Sequence, residues 1–331
     1  MVSRKHLINI KSPARRLNGG TLLNHRFTAN TPIQTVIQDP AFGSFGRLLF
    51  PVNTGYWSGA TLGSLKLTWY SHVDPSKTVE IVNTLKEQSL ADKTVFYDIY
   101  TDKEKTADPT KKNTGLFFFR GKPGAPFAIC NAGGAFAYVA AIHDSFPHAL
   151  ELSKKGYNAF ALIYRPNAQS ACEDLARGIS FIFHHAAELK VDTRCYSLWG
   201  GSAGARMAAW LGTYSPAAFG GGHLPPPGTV VMQYTGLDEY GPGDPPTFVC
   251  VGDSDWIAPW RLMKARVDAM SACGIDTEFH CYPGLSHGFG LGTGTAAEGW
   301  LDLAVRFWER QIKNQKQNLK QKTEKSRSDK Q

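Results

Sequence analysis

Long apolar runs are absent from this sequence of 331 residues. No run approaches the ~18 apolar residues that a helix needs to cross a bilayer. Near the start, Leu7-Ile8-Asn9-Ile10 is followed at once by Lys11, so the uninterrupted apolar core of a secretory signal is missing as well. These two absences argue against a membrane span and predict a cytoplasmic location, with a secreted protein given without its leader as the alternative.

Cysteine is scarce, and no two cysteines form a CxxC pair. Widely spaced cysteines in a chain without a secretory signal favour reduced thiols over disulfides, and the missing CxxC pairs argue against a metal site. Cys130 and Cys250 lie in apolar runs typical of buried strands. The full set is Cys130, Cys172, Cys195, Cys250, Cys273 and Cys281.

The formal net charge of +8 is concentrated at the two ends of the chain. Residues 1–27 carry a net charge of +6 and residues 313–331 a net charge of +5, which leaves −3 for the rest. This distribution argues against a basic groove for nucleic acid. We predict a basic arm at 1–27 and a basic disordered tail at 313–331, because the Lys/Gln-rich tail buries too little surface to offset its ordering entropy. A frayed helix end is the alternative for the tail.

From about Thr94 onward, apolar strand-like runs alternate with stretches of helical spacing. This alternation predicts a mainly parallel sheet with helices on both faces, in one domain at 93–312. Residues 28–92 are predicted to form an N-terminal extension or a partial cap, with a helix that begins at Asp74-Pro75. The strand candidates are Val95–Tyr100, Gly115–Arg120, Phe127–Asn131, Ala159–Tyr164, Tyr196–Trp199, Thr229–Tyr234, Thr247–Val251 and Thr277–Tyr282.

The strongest local motif is Gly200-Gly201-Ser202-Ala203-Gly204, between a strand-like run and a helix-forming run. A serine on a sharp strand-to-helix turn is strained and exposed, and the small residues around it leave room for the turn. A glycine-rich turn that binds phosphate is the alternative. However, the Lys-Ser/Thr pair of a P-loop and a third glycine at dinucleotide spacing are both missing. The motif therefore predicts Ser202 as a nucleophile.

A nucleophilic serine needs a base, and the base needs a third group that holds it in one tautomer. Asp255 follows one strand candidate and His287 follows the next, in the order that this kind of sheet uses. Both lie beyond strand C-termini, where open α/β sheets place their sites. Asp253 is the rival acid, and either aspartate could instead cap the helix near Pro259. The G-x-x-D spacing favours Asp255.

Acyl transfer also needs donors for the oxygen that becomes negative. The segment Ala132-Gly133-Gly134-Ala135-Phe136 follows a strand and precedes a helix, the usual position of an oxyanion loop. We predict the oxyanion hole at Gly133, Gly134 and the amide of Ala203; an ordinary strand–helix turn is the alternative. The aromatic residues Phe136 and Trp256 flank the motifs and are predicted to bind substrate, although aromatic residues in such places are as often part of the core.

Together these motifs resemble the α/β-hydrolase superfamily, and within it the esterase/lipase group that includes hormone-sensitive-lipase-like and bacterial acetyl-xylan-esterase-like enzymes. The resemblance runs from about residue 95 to 312 and also rests on Ile163-Tyr164-Arg165-Pro166 and Asp174. Asn131 or Ala132 stands where that group has histidine, and Ala135 replaces a third glycine. The resemblance implies an α/β-hydrolase fold with an eight-stranded, mainly parallel sheet, and the N-terminal extension lies outside the general pattern.

The resemblance further implies a serine carboxylesterase that forms an acyl-enzyme on Ser202, with His287 as base and then acid. It needs no metal or organic cofactor. The implied substrate is a small ester with a short acyl group such as acetyl, carried by a carbohydrate. A small serine exopeptidase or amidase and a non-catalytic binding protein of the same fold stay open, as does a homo-oligomer. The expected partner is a small ester and not nucleic acid.

Overall fold

The computed structural model of this chain describes residues 25–70 and 73–328. The predicted basic arm at 1–27 therefore lies outside the described residues except for its last three positions. All the predicted site residues lie within the described part of the chain.

In that part, eight strands form one sheet in the order β10-β9-β8-β7-β5-β6-β4-β3. Neighbouring strands run parallel from β10 to β6, whereas β4 is antiparallel to both β6 and β3. The mainly parallel eight-stranded sheet expected from the sequence is thus confirmed. The strands are β3 (Phe96–Tyr97), β4 (Gly115–Phe119), β5 (Pro126–Asn131), β6 (Asn158–Ile163), β7 (Asp192–Gly201), β8 (Thr229–Gln233), β9 (Thr247–Gly252) and β10 (Thr277–Tyr282).

The central strands are buried on both faces. Every residue of β4, β6, β8 and β9 is buried, although successive side chains of a strand point to opposite faces. Helices must therefore cover both sides of the sheet, which is why these strands appear in the sequence as continuous apolar runs. The edge strand β10 is only partly buried.

The helix predicted to begin at Asp74-Pro75 does so. Asp74 caps the second helix by accepting hydrogen bonds from the amides of Ser76 and Lys77, and Pro75 occupies its first position. Asn167 caps the sixth helix in the same way. The helices are α1 (Ile33–Ile37), α2 (Pro75–Leu90), α3 (Asp102–Ala107), α4 (Ala141–Asp144), α5 (Phe146–Lys154), α6 (Ala168–His184), α7 (Ala186–Leu189), α8 (Ala203–Tyr214), α9 (Trp260–Ala272) and α10 (Trp300–Ser328).

Of the two alternatives predicted for the tail at 313–331, disorder or a helix end, the described residues to Ser328 fit the helix. Helix α10 continues to Ser328. Its first turns are anchored by the buried side chains of Trp300, Phe307 and Trp308, so the costly nucleation step is already complete. Lys and Gln are good helix formers and extend the helix into solvent. Among the described residues, no helix combines the length and the apolar character that crossing a bilayer requires.

The N-terminal extension packs into the main core. Phe45 stacks on Phe96 of β3 and contacts Phe117 of β4 edge to face. This region has no clear sequence period because it consists of short 3₁₀-helices (Pro40–Leu48, Thr54–Tyr56 and Leu62–Ser64) and a two-residue antiparallel pair, β1 (Trp57–Ser58) with β2 (Lys66–Leu67). Within the extension, Trp69 and Tyr70 line the cavity at the candidate site.

Candidate active site

Ser202 occupies a strained turn between β7 and α8. Its backbone angles are φ 51° and ψ −118°, a region that costs an L-residue free energy unless the surroundings hold it. The Ser202 amide donates to the carbonyl of Gln233 at 2.9 Å. A Cβ on Gly204 would lie 2.0 Å from the carbonyl oxygen of Asn131, so only glycine allows the turn to approach β5. The sequence around Ser202 thus makes the turn possible.

The structure brings together Ser202, His287 and Asp255 in one chain of hydrogen bonds. His287 Nε2 lies 3.0 Å from Ser202 Oγ, and His287 Nδ1 lies 2.8 Å from Asp255 Oδ2. The imidazole and the carboxylate are both buried. The three residues follow β7, β9 and β10, so the carboxyl ends of three strands converge on one point.

The two rival aspartates have different partners. Asp255 Oδ1 accepts the amides of Ile257 and Ala258, both at 2.9 Å, which leaves Oδ2 for the imidazole. Asp253 is exposed, and its Oδ1 accepts the amide of Gly284 at 2.7 Å. Asp253 therefore ties the loop after β10 to the loop after β9, and Asp255 is the one that contacts the imidazole.

The predicted oxyanion residues lie beside Ser202, with one difference from the prediction. The Gly133 amide donates to Asp144 Oδ2 at 2.5 Å, so it is directed at a carboxylate and is not available to a substrate oxygen. Gly134 lines the cavity at Ser202, and Ala203 is the first residue of α8. Neither of these two amides donates to another group within the described residues. The N-terminus of α8 adds a partial positive charge there.

A cavity of about 250 Å³ opens at the candidate site. Trp256, predicted to bind substrate, lines this cavity and is 80% exposed. Phe136 does not fit the prediction: Ala135 and Phe136 both take positive φ values in a sharp turn, and the Phe136 ring stacks on Trp210 at 6.0 Å. The lining residues are Trp69, Tyr70, Gly134, Ala135, Ser202, Trp256, Ile257 and His287.

Three side chains at the site were missed by the sequence reasoning. Asp144 is buried, and its carboxylate accepts hydrogen bonds from the hydroxyls of Tyr70 and Tyr234. Burial and the adjacent negative charge of Asp144 raise the pKa of both hydroxyls, which therefore stay protonated and donate. Asp144 is the one acidic residue in the apolar stretch 137–150, a signal that could have found it. No sequence signal marks Tyr70.

Within residues 25–70 and 73–328, no three side chains of His, Cys, Asp or Glu are arranged to hold a metal ion. All six cysteines are free thiols, as the sequence favours. Cys130 and Cys250 are buried in β5 and β9, which confirms their placement in strands.

The strand order, the strained serine between β7 and α8, and the succession of serine, aspartate and histidine along the chain define the α/β-hydrolase fold. The part of the chain at 120–223 matches the family model named BD-FAE. That match contains the predicted oxyanion loop and Ser202, and it ends before Asp255 and His287.

Solved structures show the same fold. An alpha/beta hydrolase enzyme from a Medee basin deep-sea metagenome library has a TM-score of 0.52 and 21% identity, covering 60% of this chain and 93% of that one. Esterase Est2 of Thermogutta terrifontis has a TM-score of 0.53 and 21% identity, covering 60% and 89%. An acetyl ester-xyloside bifunctional hydrolase from Caldicellulosiruptor lactoaceticus has a TM-score of 0.56 and 20% identity, covering 65% and 95%. No curated protein sequence matches the chain significantly. The α/β-hydrolase fold that the sequence resemblance implies is thereby confirmed.

Proposed function

We propose that this protein is a serine esterase that hydrolyses short-acyl carboxylic esters through an acyl-enzyme on Ser202. The observation that carries the proposal is the unbroken relay from Asp255 to His287 to Ser202, with hydrogen bonds of 2.8 Å and 3.0 Å at the mouth of a cavity. A serine hydroxyl becomes a useful nucleophile when a base of fixed tautomer accepts its proton.

The reaction has two halves in this arrangement. Ser202 Oγ attacks the ester carbonyl while its proton passes to His287 Nε2, and Asp255 stabilises the imidazolium that forms. The amides of Gly134 and Ala203 are the proposed donors to the tetrahedral oxyanion. The imidazolium then protonates the leaving alcohol. Water repeats the sequence on the acyl-enzyme, and the carboxylic acid is released with Ser202 restored.

The cavity walls suggest where the acyl part and the alcohol part of the ester bind. The backbone of Gly134 and Ala135 and the ring of Tyr70 lie close to Ser202 and leave room for a small acyl group such as acetyl. The indoles of Trp69 and Trp256 stand at the open side, where they are 44% and 80% exposed. Flat aromatic faces of this kind suit a ring-bearing alcohol, and a carbohydrate is the alcohol we propose. The acetyl ester-xyloside hydrolase among the structural neighbours supports the same choice.

A fluorophosphonate probe tests the proposed function directly. We expect stoichiometric labelling that maps to the peptide containing Ser202, together with faster turnover of p-nitrophenyl acetate than of an aminoacyl p-nitroanilide. Preferred cleavage of the anilide would indicate an exopeptidase or amidase instead. A folded protein that neither takes up the probe nor hydrolyses either compound would support a non-catalytic binding role.

Removing the Trp256 indole tests whether this side chain binds the alcohol part of the ester. We expect Trp256→Ala to raise KM for acetylated xylo-oligosaccharides about 2- to 10-fold, the effect of losing one aromatic stacking contact of ~0.5–1.5 kcal/mol. The KM for p-nitrophenyl acetate should change less. Tyr214→Ala is the matched control, because Tyr214 is 53% exposed at the end of α8 and does not line the cavity. Equal effects of the two substitutions on the oligosaccharide KM would contradict the proposal.

A further inference from the structure

Asp144 is a buried carboxylate that the relay does not use. It ends helix α4 and is 1% exposed. Its Oδ2 accepts the Gly133 amide at 2.5 Å and the Tyr70 hydroxyl at 2.9 Å, and its Oδ1 accepts the Tyr234 hydroxyl. A carboxylate removed from water needs such donors. These three come from the oxyanion loop, the N-terminal extension and the residue that follows β8, so one side chain joins three distant parts of the chain.

The carboxylate lies directly beside the nucleophile turn. A Cβ built on Gly133 would lie 2.5 Å from Tyr70 Oη, 2.8 Å from Ser202 Cβ and 2.9 Å from Asp144 Oδ2. A Cβ built on Gly201 would lie 2.6 Å from both carboxylate oxygens. Gly133 and Gly201 therefore allow the oxyanion loop, the serine and Asp144 to meet without intervening side chains.

The two tyrosines extend this contact to the histidine loop. The Tyr234 ring meets the His287 imidazole edge to face, with centroids 5.3 Å apart. The Tyr70 ring lies against Gly288, where a Cβ would be 2.7 Å from Tyr70 Cδ1. Each hydroxyl donates to Asp144, and each ring contacts the loop of His287. The position of the imidazole thus depends on the same carboxylate as the position of the oxyanion loop.

We propose that Asp144 is a positioning residue of the esterase site: its carboxylate aligns the oxyanion loop through Gly133 and the His287 loop through Tyr70 and Tyr234. The inference rests on the proposed function. Asp144 acts through other groups and does not touch the reacting atoms. Because oxyanion donors work within a narrow range of distances, an error of ~1 Å in their placement costs on the order of 10²-fold in rate. The cost falls on the transition state and leaves substrate binding nearly unchanged.

Three conservative variants test this role. Asp144→Asn keeps one acceptor oxygen but replaces the other by an amide NH₂, which cannot accept the hydrogen bonds that this oxygen now receives. We expect its kcat for p-nitrophenyl acetate to fall about 30- to 100-fold with KM changed less than about threefold. Tyr70→Phe and Tyr234→Phe keep the rings and lose one hydroxyl each, so each should lower kcat by about 5- to 20-fold. If Asp144→Asn does not fold, the two tyrosine variants decide the question.

Tyr100→Phe is the matched control. The Tyr100 hydroxyl donates to another buried carboxylate, Asp174, at 2.6 Å, and neither residue lines the cavity. We expect this variant to lose thermal stability and to keep the wild-type kcat. The inference is overturned if Asp144→Asn, Tyr70→Phe and Tyr234→Phe also lower only Tm and keep the wild-type kcat. Fluorophosphonate labelling of the wild type is measured first, because a wild type that neither labels nor turns over would overturn the proposed function and this inference with it.

Discussion

Replacing Ser202 with alanine should lower kcat for p-nitrophenyl acetate by about 10⁵- to 10⁶-fold, and His287→Ala should have a similar effect. The two side chains act as one unit, because the hydroxyl is a weak nucleophile without the imidazole that lies 3.0 Å away. The double variant should therefore be no slower than either single variant. Steady-state kinetics measures this expectation. The burst amplitude counts the active sites and so controls for contaminating esterase.

His280→Ala is the control for the histidine. This residue lies on β10, and its Nε2 contacts Glu278 Oε1 at 2.8 Å, so its ring is engaged away from Ser202. We expect its kcat to stay within about twofold of the wild type, as for other partly exposed positions without a structural role. A Ser202→Ala protein that keeps more than about a hundredth of wild-type turnover would contradict the acyl-enzyme mechanism.

Much of the sheet could be predicted from the sequence, for a physical reason. A strand buried on both faces must be apolar at every position, so β4, β6, β8 and β9 stand out as short apolar runs between turn residues. The edge is different: the run Val95–Tyr100 was predicted as a full strand, but β3 extends only over Phe96–Tyr97. Just beyond it, the Asp98 side chain accepts the Tyr100 amide at 3.1 Å, in place of a partner strand.

The relay could be predicted because each member follows a strand whose position the apolar pattern reveals. The Asp144 cluster could not, since it depends on contacts between residues far apart in sequence: Tyr70 and Tyr234 lie 74 and 90 positions away from the aspartate. The same limit explains why the Gly133 amide was wrongly predicted as an oxyanion donor. The motif shows that a backbone donor exists at this position, but only the fold shows that the donor faces a carboxylate.

Asp255, the third residue of the relay, is tested more specifically by replacement with asparagine than by removal of its side chain. Asp255→Asn should lower kcat by about 10⁴-fold while the protein stays folded. The asparagine can keep its oxygen on the amides of Ile257 and Ala258, which Oδ1 now accepts at 2.9 Å. Its NH₂ group then faces His287 Nδ1, where a donor requires an unprotonated nitrogen. The imidazole proton moves to Nε2, and the base can no longer accept the Ser202 proton.

Asp253→Asn separates this mechanism from a general effect of charge. The two aspartates lie two residues apart on the same loop, so both substitutions remove one negative charge from the same region. The Asp253 variant keeps an acceptor for the Gly284 amide, and we expect its kcat to remain within about threefold of the wild type. Because only Asp255 touches the imidazole, a tautomer effect must be confined to the Asp255 variant. A loss of turnover in the Asp253 variant with normal turnover in the Asp255 variant would show that Asp253 is the acid and would contradict the assignment of Asp255.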